Sequence, residues 1–138
     1  MVYIESETLE LKEKYTDTIC KDIVAFLNTN GGDIIIGIDD SGQVVGVDNI
    51  DETSKKISDI ITDQIEPNPQ SIISSNIQYD EGKTLLVIHI QKGIFPIYCQ
   101  KKYGYSSAGC VIRIGTTCKS MTSEKIKIQY EKNLVDRD

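Results

Sequence analysis

The sequence predicts an α+β fold, a mixed and mainly antiparallel β-sheet with two to three helices packed on it. Two segments, residues 16–27 and 52–65, repeat apolar residues at helical spacing. Around them lie short apolar or alternating runs bounded by Gly, Asp, Ser and Pro, the pattern of strands joined by tight turns. The chain of 138 residues, 39% of them hydrophobic, supports a single core, and it contains no repeat, linker or low-complexity stretch. One domain over residues 1–138 follows, with the option that it forms the N-terminal part of a longer regulator.

Residues 3–4 and 9–11 read as a short leading strand region. Residues 16–27 read as a helix, with Ile19, Ile23, Phe26 and Leu27 on one face and Thr16 or Thr18 as N-cap. The helix closes at Asn28-Thr29, where Gly31 and Gly32 supply the positive φ of a C-cap. A strand over 34–38 follows and passes through Gly37. Asp39, Asp40, Ser41 and Gly42 then have the chemistry of a hairpin turn, leading into a second strand over 44–47. The next helix runs over about 52–65, with Asp51 as N-cap and Ile57, Ile60, Ile61 and Ile65 inward, until Pro67 and Pro69 stop it. Residues 72–77 and 85–90 form a hairpin around Asp80, Glu81 and Gly82, and 111–114 is a further strand. The tail, 123–134, is ambiguous. Residues 125–130 alternate like a strand, whereas Thr122 is placed as a helix N-cap.

Several pieces together resemble the Schlafen AlbA-type domain. Residues 25–47 read AFxNTxGGxxxxGIDDxGxxxGV. Glu5, Glu10 and Lys12 are similar to that family's opening ExxxxExK, Pro96 and Tyr98 to its P-x-Y, and residues 111–117 to its YxRxGSxT. Val111 stands where the family usually has an aromatic residue, and Cys118 where it usually has a polar one. The pieces keep the family's order over roughly residues 5–125. The resemblance implies a helix in the tail and a nucleic-acid-binding module, of the kind labelled DNA-binding in bacterial regulators. Asn28, Gly31, Gly32, Gly37 and Gly42 are then the structural motif. The resemblance also implies an alternative. In RNA-cleaving Schlafen proteins, two glutamates of the opening motif and the second aspartate of the turn form a metal-assisted nuclease centre, and here those positions are Glu5, Glu10 and Asp40. Converging carboxylates of this type hold Mg²⁺ or Mn²⁺. Five residues apart, Glu5 and Glu10 share a face on neither a helix nor a strand, so catalysis requires a bend between them. The competing reading pairs Glu10 with Lys12 or Lys14 and leaves Asp39 and Asp40 to the turn.

Charge is unevenly distributed. The net charge of −6 divides into −10 over residues 1–69, where 5 basic residues face 15 acidic ones, and +4 over 70–138, where 10 face 6. Residues 82–123 contain no acid and carry Lys83, Lys92, Lys101, Lys102, Arg113 and Lys119, with Phe95, Tyr98, Tyr103 and Tyr105 among them. Cations neutralise phosphates and aromatic faces stack on unpaired bases. Lys92, Lys101, Lys102, Tyr103, Arg113 and Lys119 are therefore the expected contacts to DNA or structured RNA. The bland reading of the same stretch is a solvated face. The acidic N-terminal half also allows a protein-interaction or dimerisation domain, including a homodimer.

Other chemistries find less support. ATP is not expected, because Asn30-Gly31-Gly32 closes a helix and opens a strand, whereas a phosphate loop opens a helix and ends in Lys-Ser or Lys-Thr. Cys20, Cys99, Cys110 and Cys118 form no CxxC pair, and no spacing matches the zinc site of vertebrate Schlafen proteins, so buried thiols are expected. His89, the only histidine, lies in an apolar strand and receives no role. No run approaches the ~18 apolar residues of a membrane span, and no basic-then-apolar signal opens the chain. A cytoplasmic protein without a membrane partner is expected.

Overall fold

A nine-residue helix flanked by parallel strands organises the domain. The computed structural model describes residues 2–136, with the Asp136 side chain excepted. In chain order the elements are β1 (Leu9–Lys12), α1 (Ile19–Leu27), β2 (Gly32–Ile36), α2 (Ile50–Asp63), β3 (Ile65–Glu66), β4 (Ile73–Asp80), β5 (Lys83–Ile90), β6 (Cys99–Gln100), β7 (Val111–Ile114), β8 (Thr117–Ser120) and α3 (Ser123–Asp136). The main sheet has the order β1-β2-β5-β4. Only β1 and β2 run parallel, joined through α1, and the other pairs are antiparallel. The fold is therefore α+β with a mixed, mostly antiparallel sheet. Two small antiparallel ladders, β3 with β6 and β7 with β8, lie outside the main sheet.

The alternation of β2 and β5 decides where the core sits. Ile34, Ile36, Leu86, Ile88 and Ile90 face α1 and α2 and meet Ile23, Phe26, Ile57 and Ile60. Ile35, Leu85 and Val87 point to the opposite face, where Ile38, Val44 and the leading residues Tyr3, Leu9 and Leu11 cover them. A third cluster of Ile97, Cys99, Cys110, Met121 and Ile126 anchors α3.

Several boundaries differ from the sequence reading, each for a local reason. Helix α1 begins at Ile19. Thr18 occupies the N-cap without a side-chain capping bond, because its hydroxyl is paired with Thr16 Oγ1 at 2.8 Å. Helix α2 begins at Ile50, not 52, since Asn49 is the cap in place of Asp51. Asn49 Oδ1 accepts the Glu52 N–H while its Nδ2 donates to Glu52 Oε2, so the two side chains clasp the first turn. That helix ends at Asp63, and Ile65 joins β3. The expected strand over 44–47 reduces to one bridge, Ile38 with Val44, because the Val45 and Gly46 N–H groups both turn onto the Gly37 carbonyl. Residues 3–4 form no strand, although Tyr3 N–H reaches the Gly42 carbonyl at 3.0 Å. The tail is helical, and Thr122 Oγ1 accepts the Lys125 N–H at 3.2 Å. Strand-like alternation at 125–130 arises because Ile126 packs inward while Ile128 stays 46% exposed on the same helix.

The junction between α1 and β2 is as tight as the double glycine suggests. Gly31 sits at φ 74° and Gly32 at φ 156°. A Cβ on Gly31 would lie 2.6 Å from the Ile90 carbonyl oxygen, and one on Gly32 would lie 2.7 Å from that of Thr8.

Candidate nucleic-acid interface

The separate sequence motifs meet in one hydrogen-bonded network. Asn28, just past the end of α1, donates from Nδ2 to the Tyr98 and Val111 carbonyls, both at 2.9 Å, and accepts the Tyr98 N–H at 2.7 Å. Thr29 Oγ1 donates to the Ala25 carbonyl and accepts the Arg113 N–H at 2.9 Å. The Asn-Thr pair thus joins the helix end to the P-x-Y segment and to β7. Its role is structural, as the unpaired backbone groups there demand.

Arg113 corrects the sequence reading. Its side chain is buried, with Nη1 2.8 Å from Glu10 Oε1, and it donates to the Ser6 and Leu9 carbonyls. The guanidinium also stacks 4.7 Å from the centre of the Phe26 ring. Arg113 is 4% exposed and every hydrogen bond its side chain makes is to the protein, so it is not a surface cation for phosphate. Beside it Lys12 Nζ lies 3.0 Å from Asp22 Oδ2 and 3.6 Å from Glu10 Oε2. Burial by itself lowers the Lys12 pKa, but Asp22 and Glu10 outweigh it and hold the ammonium above its usual range.

The bend required between Glu5 and Glu10 is present. Ser6 and Leu9 bond to each other's backbone, which turns the chain and brings Glu5 beside Glu10. Burial and the neighbouring Glu10 raise the Glu5 pKa, against the lowering effect of the Leu11 N–H, which donates to Glu5 Oε2 at 3.0 Å. Asp39 Oδ1 accepts the Ser41 and Gln43 N–H groups and so serves the turn. Asp40 is exposed, and its carboxylate makes no hydrogen bond or ion pair among the described residues. Glu5, Asp39, Asp40 and Thr116 line a cleft of about 410 Å³. Of the three carboxylates of the nuclease reading, Glu10 faces Arg113 and Lys12, Glu5 holds the edge of β1, and Asp40 alone is without a partner. Among the described residues no three His, Cys, Asp or Glu side chains are grouped to hold a metal ion. In this arrangement Glu10 and Glu5 are engaged by neighbouring groups, and no chemical step is assigned through a metal ion.

The remaining predicted cations are exposed, and all but Lys101 fall on two grooves that share Ser120. Lys92 lines a groove of about 700 Å³ with Ile112, Ile114 and Lys125. Lys119 pairs across the ladder with Ile112, so it projects from that same face. Lys102 and Tyr103 line a second groove of about 450 Å³ with Lys21, and Ser120 borders both grooves. Lys102 Nζ lies 4.9 Å from the centre of the Tyr103 ring. Lys101 lines a neighbouring pocket together with Lys102, Asp17 and Asp63, and Asp17 also borders the second groove. None of Lys92, Lys101, Lys102 and Lys119 is in an ion pair among the described residues. Lys21 and Lys125 escaped the sequence reading because both lie outside the acid-free stretch, each close to an acid in sequence (Asp22 and Glu124).

The four thiols are free, three of them buried and Cys118 half-buried. Burial pushes Cys20 and Cys110 up to about 11, and Cys99 and Cys118 up to about 12, so none is a thiolate at neutral pH. His89 Nδ1 lies 2.8 Å from Asp33 Oδ1 across the β2–β5 ladder. No helix of the described residues is long and apolar enough to cross a membrane.

Comparison with solved structures finds the same fold at low identity. The DIP2311 protein of Corynebacterium diphtheriae superposes with a TM-score of 0.63 at 19% identity, over 91% of this chain and 24% of its own. The N-terminal domain of a RecG-related protein of Nitrosomonas europaea gives 0.52 at 22% identity, over 65% of this chain and 66% of its own. The chain thus spans about a quarter of the first protein and just under two thirds of the second. No curated protein matches it significantly. The model of the family described as Schlafen, AlbA_2 matches residues 5–122. The matched stretch holds every motif joined through Asn28, Thr29 and Arg113, and the chain belongs to the Schlafen AlbA_2 family.

Proposed function

We propose that this domain binds nucleic acid, DNA or structured RNA, along the two grooves that meet at Ser120. One observation carries the reading. Lys92, Lys102 and Lys119 are exposed, free of ion pairs among the described residues, and set around the grooves with Tyr103, in a chain whose net charge is −6. Cations left unneutralised on one side of an acidic protein suit a polyanion, and the ring of Tyr103, 49% exposed, offers a stacking surface. A fold neighbour carrying the name of a DNA helicase RecG-related protein agrees with this class of partner. Such a module would serve a regulator by placing it on nucleic acid.

The test is a salt titration of binding to duplex DNA and to structured RNA. Lys101→Glu/Lys102→Glu is expected to weaken binding at least about tenfold at low salt and to flatten the log–log salt slope by about 1–2, since fewer counterions are released. Equal affinity of variant and wild type at every salt concentration would return these lysines to a solvated face.

Two observations favour the nuclease reading, the bend that sets Glu5 beside Glu10 and the cleft shared by Glu5 and Asp40. Because Arg113 and Lys12 neutralise Glu10, wild type is expected to leave structured RNA intact with either Mg²⁺ or Mn²⁺. Asp40→Asn should leave affinity unchanged or raise it slightly, by removing a charge that repels phosphate. Metal-dependent cutting that disappears in Asp40→Asn would reverse this choice.

A further inference from the structure

The two edges of the main sheet are treated differently. On the β1 side the outward-facing backbone groups are occupied. The Leu9 carbonyl accepts from Ser6 N–H at 3.0 Å and from Arg113 Nη2 at 3.1 Å, and the Leu11 N–H is held by Glu5. On the β4 side nothing among the described residues covers the edge. Strand β4 is eight residues long, is paired to β5 without a bulge from Ile73–Ile90 to Asp80–Lys83, and contains no Lys or Pro. Such gatekeepers are the usual protection of a long exposed edge.

The register shows which groups are open. Glu81 and Gly82, at φ 51° and 74°, form a two-residue turn, so the closing pair Asp80–Lys83 is hydrogen-bonded both ways. The Gln91 N–H bond to the Ile72 carbonyl continues the same phase at the other end. Even-numbered residues of β4 therefore bond to β5, and Ile73, Ser75, Ile77 and Tyr79 direct their N–H and C=O groups outward. Their side chains share the helix-bearing face of the sheet, where Ile77 is 41% and Tyr79 78% exposed.

We propose that this edge pairs with β4 of a second copy, antiparallel about a two-fold axis at Ile77, so that the sheet continues across both molecules. In that register Ile77 meets Ile77 of the other copy, Ser75 meets Tyr79, Asn76 meets Gln78 and Ser74 meets Asp80. The outward groups then form about six backbone hydrogen bonds. Charge favours a second copy in this orientation. The only ionisable carboxylate of the strand, Asp80, lies at one end and is already bonded to Tyr3 Oη. Antiparallel self-pairing puts the two acids at opposite ends of the seam, whereas parallel pairing would stack them. The proposal is independent of nucleic-acid binding.

The experiment measures mass by sedimentation over a concentration series from low to high micromolar, together with amide hydrogen exchange. Wild type is expected to shift from monomer to dimer across the series. The amides of Ser75, Ile77 and Tyr79 should slow at least about tenfold at the high end, while Asn76 and Gln78 stay protected throughout. Ile77→Pro should remain monomeric, because it removes a donor that only the second copy uses and leaves the β5 ladder whole. Ile77→Lys should do the same by placing like charges together on the axis, and it serves if the proline variant fails to fold. A wild type that stays monomeric through the series overturns the proposal. So does a dimer whose mass survives both substitutions, or whose odd-numbered β4 amides exchange as fast as in the monomer.

Discussion

Replacing Arg113 by Met will destabilise the domain by about 3–5 kcal/mol, the cost of taking from the buried Glu10 carboxylate its hydrogen-bonded partner and leaving it only Lys12, 3.6 Å away. For a domain whose whole stability is of the order of 5–15 kcal/mol this is a large share, and it corresponds to a fall in melting temperature of roughly 10 °C or more. The reasoning rests on burial. Arg113 is 4% and Glu10 9% exposed, so water cannot replace the guanidinium at Glu10 Oε1. Glu5 stands next to Glu10 and adds repulsion once the positive charge is gone. The double variant Glu10→Gln/Arg113→Met should recover a good part of the loss, because no unpaired charge then remains inside. Chemical denaturation of wild type and the two variants at neutral pH measures each term. A single variant as stable as wild type, or a double variant worse than the single, would remove the ion pair from the account of the core.

Gly31→Ala and Gly32→Ala are each expected to cost about 2–4 kcal/mol, combining a left-handed backbone penalty of about 1 kcal/mol with overpacking of about 1–3 kcal/mol. The added methyl on Gly31 meets backbone, the Ile90 carbonyl at 2.6 Å and the Lys92 N at 2.8 Å, and neither gives way without moving the end of β5. On Gly32 it meets the Phe26 ring, which stacks on Arg113, and the Thr8 carbonyl at 2.7 Å. Gly82→Ala is the control. Its φ is 74°, as at Gly31, but nothing lies within 4 Å of the new methyl, so it should cost only about 1 kcal/mol. Thermal and urea unfolding of the three variants separates conformation from contact. If all three cost the same, close packing at the α1–β2 junction contributes nothing.

Local chemistry carried much of the fold. The inward faces of α1 and α2 were legible because Ile19, Ile23, Ile57 and Ile60 recur at the period of a helix, a property of the chain itself. The β4–β5 hairpin was legible because its turn needs residues that accept positive φ. Helix boundaries moved by a turn or less: at the N-terminal ends Asn49 took the cap position expected of Asp51 and Thr18 took it rather than Thr16, and the C-terminal end of α2 moved where Ile65 joined β3. The two-residue strands β3 and β6 left no trace, because two residues cannot show a period, and β8 is a polar, mostly exposed Thr-Cys-Lys-Ser.

The candidate site divides along a similar line. An acid-free stretch is a compositional fact, and it led to Lys92, Lys101, Lys102, Tyr103 and Lys119. Composition cannot tell a surface cation from a buried one. Arg113 and Lys119 lie six residues apart with the same charge, yet one neutralises Glu10 in the core and the other faces solvent. The alternation of the short β7–β8 ladder makes that division, turning Arg113 toward α1 and Lys119 with Ile112 away from it. The same tertiary contact decides what Glu10 can do. The sequence by itself determined the two helices, the tight glycine junction and the uneven charge, since each depends on neighbours along the chain. The tertiary structure alone decided which charges meet, because Glu10 and Arg113 are 103 residues apart and only packing brings them within 2.8 Å.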